Sequence, residues 1–561
     1  MAEHCDSGIA WAESFSGARP AQDAPSIVRA PTGVTAFIGR TVKGPLGRAV
    51  RVSSFAEFER TFGGLWQPST LSYALGQFFE NGGRQALVVR VANGATAPTL
   101  TLPGAQGALG LVGVHPGSRE YLRAAVDYDG SGGAEPDRFN LVLQRLRLPA
   151  TELIEDQEIH RRVCIEPGSA RNVRQLLLES QIMRVAGDLP PDRPDPTCGV
   201  DANRAAAYVS AQPGSDGSCL SDYDIIGSPE SGTGLAALAA GEPFDLLCIP
   251  PLGRERDLGL ATLLVAARLC RERHALLVVD PPRAWATAEQ AVAAMDGWPF
   301  RSEDAVMFFP RVRALDPLRN RVETFGSAAA AAGMLARGDA AAPVWSPAEG
   351  EELILRPGLR LAADSDAAAR TRLAQAGINT LAAVRSCGPV RWDPCTLAGA
   401  RGSLAARHLT IRRLELFILA SIESGLGWLR DAPSEPRVWA RAQAQVERFL
   451  DALCRDGAFA SSRAEESYFV VCDGRVNRGE GLREAAERLG ITQSASRDSS
   501  ASGGRSVSRD RSAEGRIRLL FGIAPARPAD FHAWLLSFGA GMSRARSVAV
   551  NAFAAGAHTA A

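Results

Sequence analysis

The period of the hydrophobic pattern changes several times along the chain, and each change marks an element. From Pro31 to Val91 an apolar run, "GVTAFIG", leads into a short alternating segment, "AVRVSS". Two stretches with helical spacing follow, "SFAEFERTFGG" and "TLSYALGQFFENGG", and then "QALVVRV". This order predicts strand, strand, helix, helix, strand, with Ser53 or Ser54 capping the first helix and Asn81-Gly82-Gly83 ending the second. Between about 92 and 241 the composition shifts toward Gly, Pro and Asp, and short alternating segments such as "YLRAAVDYDG" and "RFNLVLQRL" predict an inserted, β-rich domain. The α/β pattern then returns: strand "FDLLCIP", helix "LGLATLLVAARLCRERH", strand "ALLVVDPP" and a strand near "AVMFFPRV".

Farther on, "SEPRVWARAQAQVERFLDALCRDG" predicts a long helix with Ser434 as cap, Pro436 in the first turn and Gly457 as the stop. At about 100° per residue, Trp439, Ala442, Val446, Phe449, Leu450 and Leu453 share one face. Arg437, Arg441, Arg448 and Arg455 fall in a narrow stripe opposite. Two readings stand side by side: a solvated face with Asp451 pairing to Arg448 or Arg455, or a docking stripe for an acidic partner. In "RIRLLFGI", Ile517, Leu519, Phe521 and Ile523 alternate as in a half-buried strand. Three stretches carry no such pattern. Residues 1–28 read as an extended arm, 492–515 as a disordered loop with almost nothing to bury, and 541–561 as a second flexible arm.

Composition narrows the class. A chain of 561 residues exceeds one ordinary core, so about two to four domains are expected. Lysines plus arginines number 62 and acids 62, which leaves no general positive excess for nucleic acid. None of the ten cysteines forms a C-x-x-C pair, and Cys248 and Cys472 lie inside apolar strands as small hydrophobes, so neither zinc nor a disulfide framework is indicated. The N-terminus has no classical export signal, and no run reaches membrane-spanning length.

Candidate chemistry is sparse. Gly39 and Gly44 bracket four residues as in a phosphate loop, but Lys43 precedes the second glycine and Pro45 removes a needed N–H, so the nucleotide reading fails. Asp280 ends an apolar strand as a magnesium-holding acid does in nucleotide hydrolases; without a phosphate loop it reads as a strand end and turn. His408, beside a helix start, and His532, in a strand pattern, read as packed or surface residues. No G-x-S-x-G elbow or histidine-glutamate metal helix occurs. The expectation is a protein with no catalytic residues, no cofactor and no metal.

The order of motifs adds more than any one of them. "APTGVTAFIGRTVKGPLGRAVRVSSFAEFERTFGGL" with "LSYALGQFFENGGRQALVVRV" closely resembles the N-terminal part of contractile tail sheath proteins of bacteriophages and related injection machines, through Gly44-Pro45-Leu46, Phe62-Gly63-Gly64 and Asn81-Gly82-Gly83. "LTIRRLELFILASIESGLGWL", the arginine-striped helix, "ESYFVVCDG" and "FGIAPARPADFHAWLLSF" resemble the closing region of the same family. The segment from "FDLLCIP" to "AGINTLAAVRSCGPVRWDPCTL" is similar to its central domain.

The resemblance implies a mixed α/β multidomain fold. Its parts are an extended N-terminal arm (1–28), a sheath-type core built from an N-terminal part (29–92) and a C-terminal part (401–540, with the 492–515 loop), and a C-terminal arm (541–561). Between the core parts lie the inserted β-rich domain (93–241) and a central subtilisin-like α/β domain without catalytic residues (242–400). It implies a structural subunit, made in the bacterial cytoplasm and assembled in a phage tail or injection particle. Such a subunit polymerises helically through its arms around an inner tail tube and contracts to drive that tube through a target envelope. Its partners would be copies of itself, the tube, baseplate and tail terminator proteins, with no nucleic acid and no membrane insertion. Arg437, Arg441 and Arg448 would contact the tube, with Arg455 in the same stripe. The alternatives are a subtilisin-like or nucleotide hydrolase, and a non-contractile shell protein.

Overall fold

Strand β1 (Val34–Gly39) is buried at every position because it pairs on both edges and is covered on both faces. The computed structural model describes residues 26–129, 137–149, 151–197, 208–239, 241–346, 354–381, 394–399, 408–477, 516–525, 532–539 and 542–548. The 492–515 loop and most of both expected arms lie outside them. β1 runs parallel to β3 (Gln85–Arg90) on one side and to β11 (Leu246–Cys248) on the other. β12 (Leu276–Val279), β13 (Ala305–Phe309) and β17 (Asn379–Thr380) extend the parallel sheet beyond β11, and β2 (Ala49–Val52) closes the far edge antiparallel to β3. The seven strands run β17-β13-β12-β11-β1-β3-β2.

Side-chain alternation divides two cores across this sheet. Val34, Ala36 and Ile38 face α3 (Leu260–Arg273), α4 (Ala288–Gly297) and α6 (Ala367–Gln375); Phe37 faces α1 (Phe55–Phe62), α2 (Thr70–Glu80) and α5 (Ala328–Ala341). Ser54 is the residue that caps α1, accepting from the Glu57 N–H at 3.2 Å. Gly63 ends α1 at φ +88, where a Cβ would also lie 2.0 Å from Val42 Cγ1. Segments 29–92 and 242–400 thus share one sheet. The local pattern shows the α/β order returning after the insertion, and the core made of 29–92 with the C-terminal part is implied by the resemblance alone; a β-strand's parallel neighbour is set by long-range packing that local pattern does not carry.

α5 is alanine-rich, with Ala328 to Ala332 all buried, and its small residues let it lie close to α2. A Cβ on Gly333 would sit 2.4 Å from the Phe78 carbonyl oxygen of α2. A helical Gly→Ala change ordinarily stabilises by about 1 kcal/mol. Here the opposite sign is expected: Gly333→Ala should lower the unfolding free energy by about 1–3 kcal/mol, through forced separation of α2 and α5. Urea denaturation of the full chain checks it, and an increase in stability would contradict the close approach.

The insertion leaves the core after β3. β4 (Thr99–Gly104), β5 (Gly107–Gly113) and β9 (Met183–Ala186) form one antiparallel sheet. β6 (Tyr121–Asp127), β7 (Phe139–Leu146), β8 (Ile154–Val163) and β10 (Val209–Ser210) form a second, ordered β10-β6-β7-β8. Leu102, Leu109, Val126, Phe139 and Leu141 pack between them. The loop after β1 holds the insertion in place: Arg40 donates to the carbonyls of Asp216 and Gly217 at 2.9 Å, and Lys43 pairs with Glu155 at 2.7 Å. Leu220, Ile225, Leu235 and Leu238 pack into the main core, so the insertion ends well before the expected 241. A hairpin unmarked in the sequence pattern, β14 (Val312–Asp316) and β15 (Arg321–Phe325), pairs with β16 (Arg360–Leu361).

The C-terminal unit has its own sheet, ordered β18 (Tyr468–Val471), β19 (Ile517–Ile523), β20 (His532–Gly539) and β21 (Met542–Val548). Helices α7 (Leu409–Gly425) and α8 (Pro436–Arg455) pack with it around Ile422, Trp439, Val446, Leu450, Leu519 and Phe521. In β19 the intervening Leu520 and Gly522 are buried too, Leu520 at 4 % exposure, and only Arg518 is partly exposed, so most of the strand is buried on both faces rather than half-buried. Residues 542–548, expected within a flexible arm, are strand β21 paired along the edge of β20. Arg544 and Arg546 alternate with small residues there, an edge-strand composition that no apolar search detects.

α7 bridges the two units through buried charges. Arg412 pairs with Asp304, just before β13, and with Glu415, both at 2.6 Å. Glu415 also meets His532 at the start of β20, and Glu423 meets His274, just before β12, as well as Ser543 in β21.

Candidate interaction surface

α8 has the amphipathic character expected of it. Trp439, Ala442, Val446, Phe449, Leu450 and Leu453 are buried against the C-terminal sheet. Pro436 opens the helix, and Gly457, at φ +79, follows its last turn. Glu435, not Ser434, occupies the capping position; the Ser434 hydroxyl instead accepts from the Trp439 indole N–H at 3.1 Å. The indole needs a partner once buried, and the Ser434 hydroxyl supplies it.

The four arginines of the opposite stripe have different surroundings. Arg437 is exposed. Arg441 is exposed as well, with its guanidinium 4.6 Å above the ring of Trp428, which itself donates to Gln445 at 3.1 Å. Arg448 is half-buried; its Nε–H donates to the Ala444 carbonyl at 3.3 Å, while one terminal nitrogen is shielded from solvent without a hydrogen-bond partner among the described residues. Arg455 pairs with Asp451 at 2.9 Å, and both side chains are largely exposed. Helical geometry therefore groups Arg437, Arg441 and Arg448 with charge to offer, whereas Arg455 is engaged within its own helix. The Trp428 contact was not legible in the sequence, since it depends on the turn between α7 and α8.

The residues weighed for catalysis have structural partners. Asp280 accepts from the Ala328 N–H at 2.8 Å and so caps α5; burial holds its carboxyl above the usual range against the pull of Arg311. Burial likewise pushes the neighbouring Cys248 thiol up. His408 precedes the first turn of α7, and His532 is held by Glu415. His115 is pushed down to about 4 by burial and by the surrounding arginines. Among the described residues no three potential metal ligands converge, and no helix is long and apolar enough to cross a membrane.

No family model matches the chain, and no curated protein matches it in sequence. Solved structures do. The crystal structure of a sheath tail protein from Listeria innocua is similar with a TM-score of 0.56 and 12 % identity, over 95 % of this chain and 98 % of that one. The chain has the sheath tail protein fold. A sheath tail protein from Desulfitobacterium hafniense matches at TM-score 0.49 and 10 % identity, covering 93 % of this chain and 100 % of its own. The sheath of an extracellular contractile injection system in its contracted state matches at TM-score 0.46 and 13 % identity, covering 84 % and 90 %. In this sheath-type fold α8 belongs to the C-terminal unit, apart from the seven-stranded sheet.

Proposed function

We propose that the chain is the structural subunit of a contractile tail sheath, which polymerises helically around an inner tube and contracts to drive it through a target envelope. The observation that carries this reading is the end-to-end correspondence with a sheath tail protein, since 95 % of this chain is matched and not one shared domain. Contraction needs no cofactor in this account, because the work comes from subunit contacts that are more favourable in the contracted lattice. The arms at both chain ends join neighbouring subunits through strand addition, with baseplate and tail terminator proteins at the two ends of the sleeve. The central α/β unit is read as a subtilisin-type module without catalytic residues, which agrees with the engagement of Asp280 as a helix cap.

Arg437, Arg441 and Arg448 are assigned to contact with acidic groups on the tube. Arg437 and Arg441 are exposed and form no ion pair with an acid among the described residues, which supports this reading. A hydrolase remains the competing class, and purified protein offered nucleotide and protease substrates should turn over neither. The assembly reading is tested by sedimentation. The full chain is expected to pellet as polymer in a concentration-dependent way, and a chain lacking residues 1–25 to stay in the supernatant as folded monomer. Equal pelleting of both would remove the N-terminal arm from the linkage.

A further inference from the structure

The joint between the parallel sheet and α7 contains a charge imbalance. Arg413 of α7 donates to both oxygens of Asp339 near the end of α5, one at 2.7 Å, and to Asp245 at 3.2 Å. Asp245 immediately precedes β11, and its other oxygen accepts the Val34 N–H at 2.7 Å. One guanidinium therefore serves two carboxylates, with side-chain exposures of 10 % for Arg413, 5 % for Asp339 and 18 % for Asp245. A cavity of about 300 Å³ opens beside them, lined in part by Asp245, Arg413, His274, Glu423 and Arg430.

The other charged groups at this cavity are engaged elsewhere. His274 bonds Glu423, Arg430 donates to Ser543 at 3.2 Å, Arg273 donates to the carbonyls of Gly241 and Glu242, and Glu272 pairs with Arg268. None of them bonds Asp245 or Asp339. Two nearby carboxylates with one shared cation cannot both stay ionised cheaply in a water-poor site, and a proton completes the set.

We propose that Asp245, Arg413 and Asp339 form a proton-operated clasp between the core sheet and α7, closed most firmly when one proton is held by the carboxylate pair. Burial, and then the Asp339 charge, push the Asp245 carboxyl up to about 6. Once α7 leaves and water returns, its affinity for protons falls back to the ordinary carboxylate range near 4. The docked state thus binds the extra proton between these limits. Docking is therefore weakest and independent of pH above about 6, strengthens as pH falls from about 6 toward 4, and levels off below that. Because α7 also carries the C-terminal unit through Glu415 and Glu423, the clasp governs how tightly the two units are held together.

Hydrogen exchange of α7 amides in the full chain, corrected for intrinsic rates, reads the clasp directly. Protection is expected to be about tenfold greater at pH 5.0 than at pH 7.5. Asp245→Asn should abolish the difference and give the acid-level protection at both pH values; Asp339→Asn is the second variant, should the first not fold. His274→Gln separates the neighbouring histidine pair and should leave the pH dependence in place. Protection that does not change with pH in the native chain overturns the proposal. So does a pH dependence that survives the asparagine variants, whether or not it disappears in His274→Gln.

Discussion

Arg412→Ala is expected to lower the unfolding free energy of the full chain by about 3–5 kcal/mol. Arg412 neutralises Asp304, which is wholly buried, and Glu415, whose side chain is 7 % exposed. Among the described residues, its removal leaves Asp304 with the largely exposed Arg271 at 3.1 Å, and Glu415 with His532. The loss follows from stranding buried charge and not from the intrinsic strength of the pair. Replacing Arg412, Asp304 and Glu415 together by apolar residues of similar size should therefore cost far less than Arg412→Ala alone. Urea denaturation decides it: a loss under about 1 kcal/mol for the single change would mean that water reaches the joint.

The second large effect concerns α8. Changing Arg437, Arg441 and Arg448 to glutamate should abolish co-sedimentation with the purified tube protein while leaving the chain folded, because the buried face from Trp439 to Leu453 is untouched. Each contact is worth on the order of 1 kcal/mol or less when partly solvated, but a polymer repeats them at every subunit, which suits templating followed by release. Binding of the native chain should weaken with added salt. Arg437→Glu or Arg441→Glu on its own should have more effect than Arg455→Glu, since Arg455 is already paired with Asp451. Unaltered, salt-insensitive binding of the triple variant would return the stripe to solvent.

Elements whose stability is decided locally were legible in the sequence. The period of α1, α2 and α8 and the unbroken apolar run of β1 predicted their type, and Pro436 and Gly457 marked the ends of α8. Contacts that depend on distant segments were not. The union of β1 with β11 rests on pairing across more than two hundred residues, and the Arg412 and Arg413 clusters draw acids from four separate elements or loops, none with a motif of its own. β21 escaped because an edge strand rich in arginine and serine has no apolar alternation. The arginine stripe itself was legible as geometry, but the distinction between Arg455, paired to Asp451, and Arg448, which bonds only the Ala444 carbonyl among the described residues, required the structure.

The central claim is that copies of this chain build a hollow helical sleeve, and electron microscopy of the purified full-length protein tests it most directly. Negatively stained samples at polymerising concentration should contain tubes of uniform diameter with a helical repeat and an open lumen, and with the tube protein present the lumen should be filled. Dispersed monomers at every concentration, or closed shells without a helical repeat, would contradict the account.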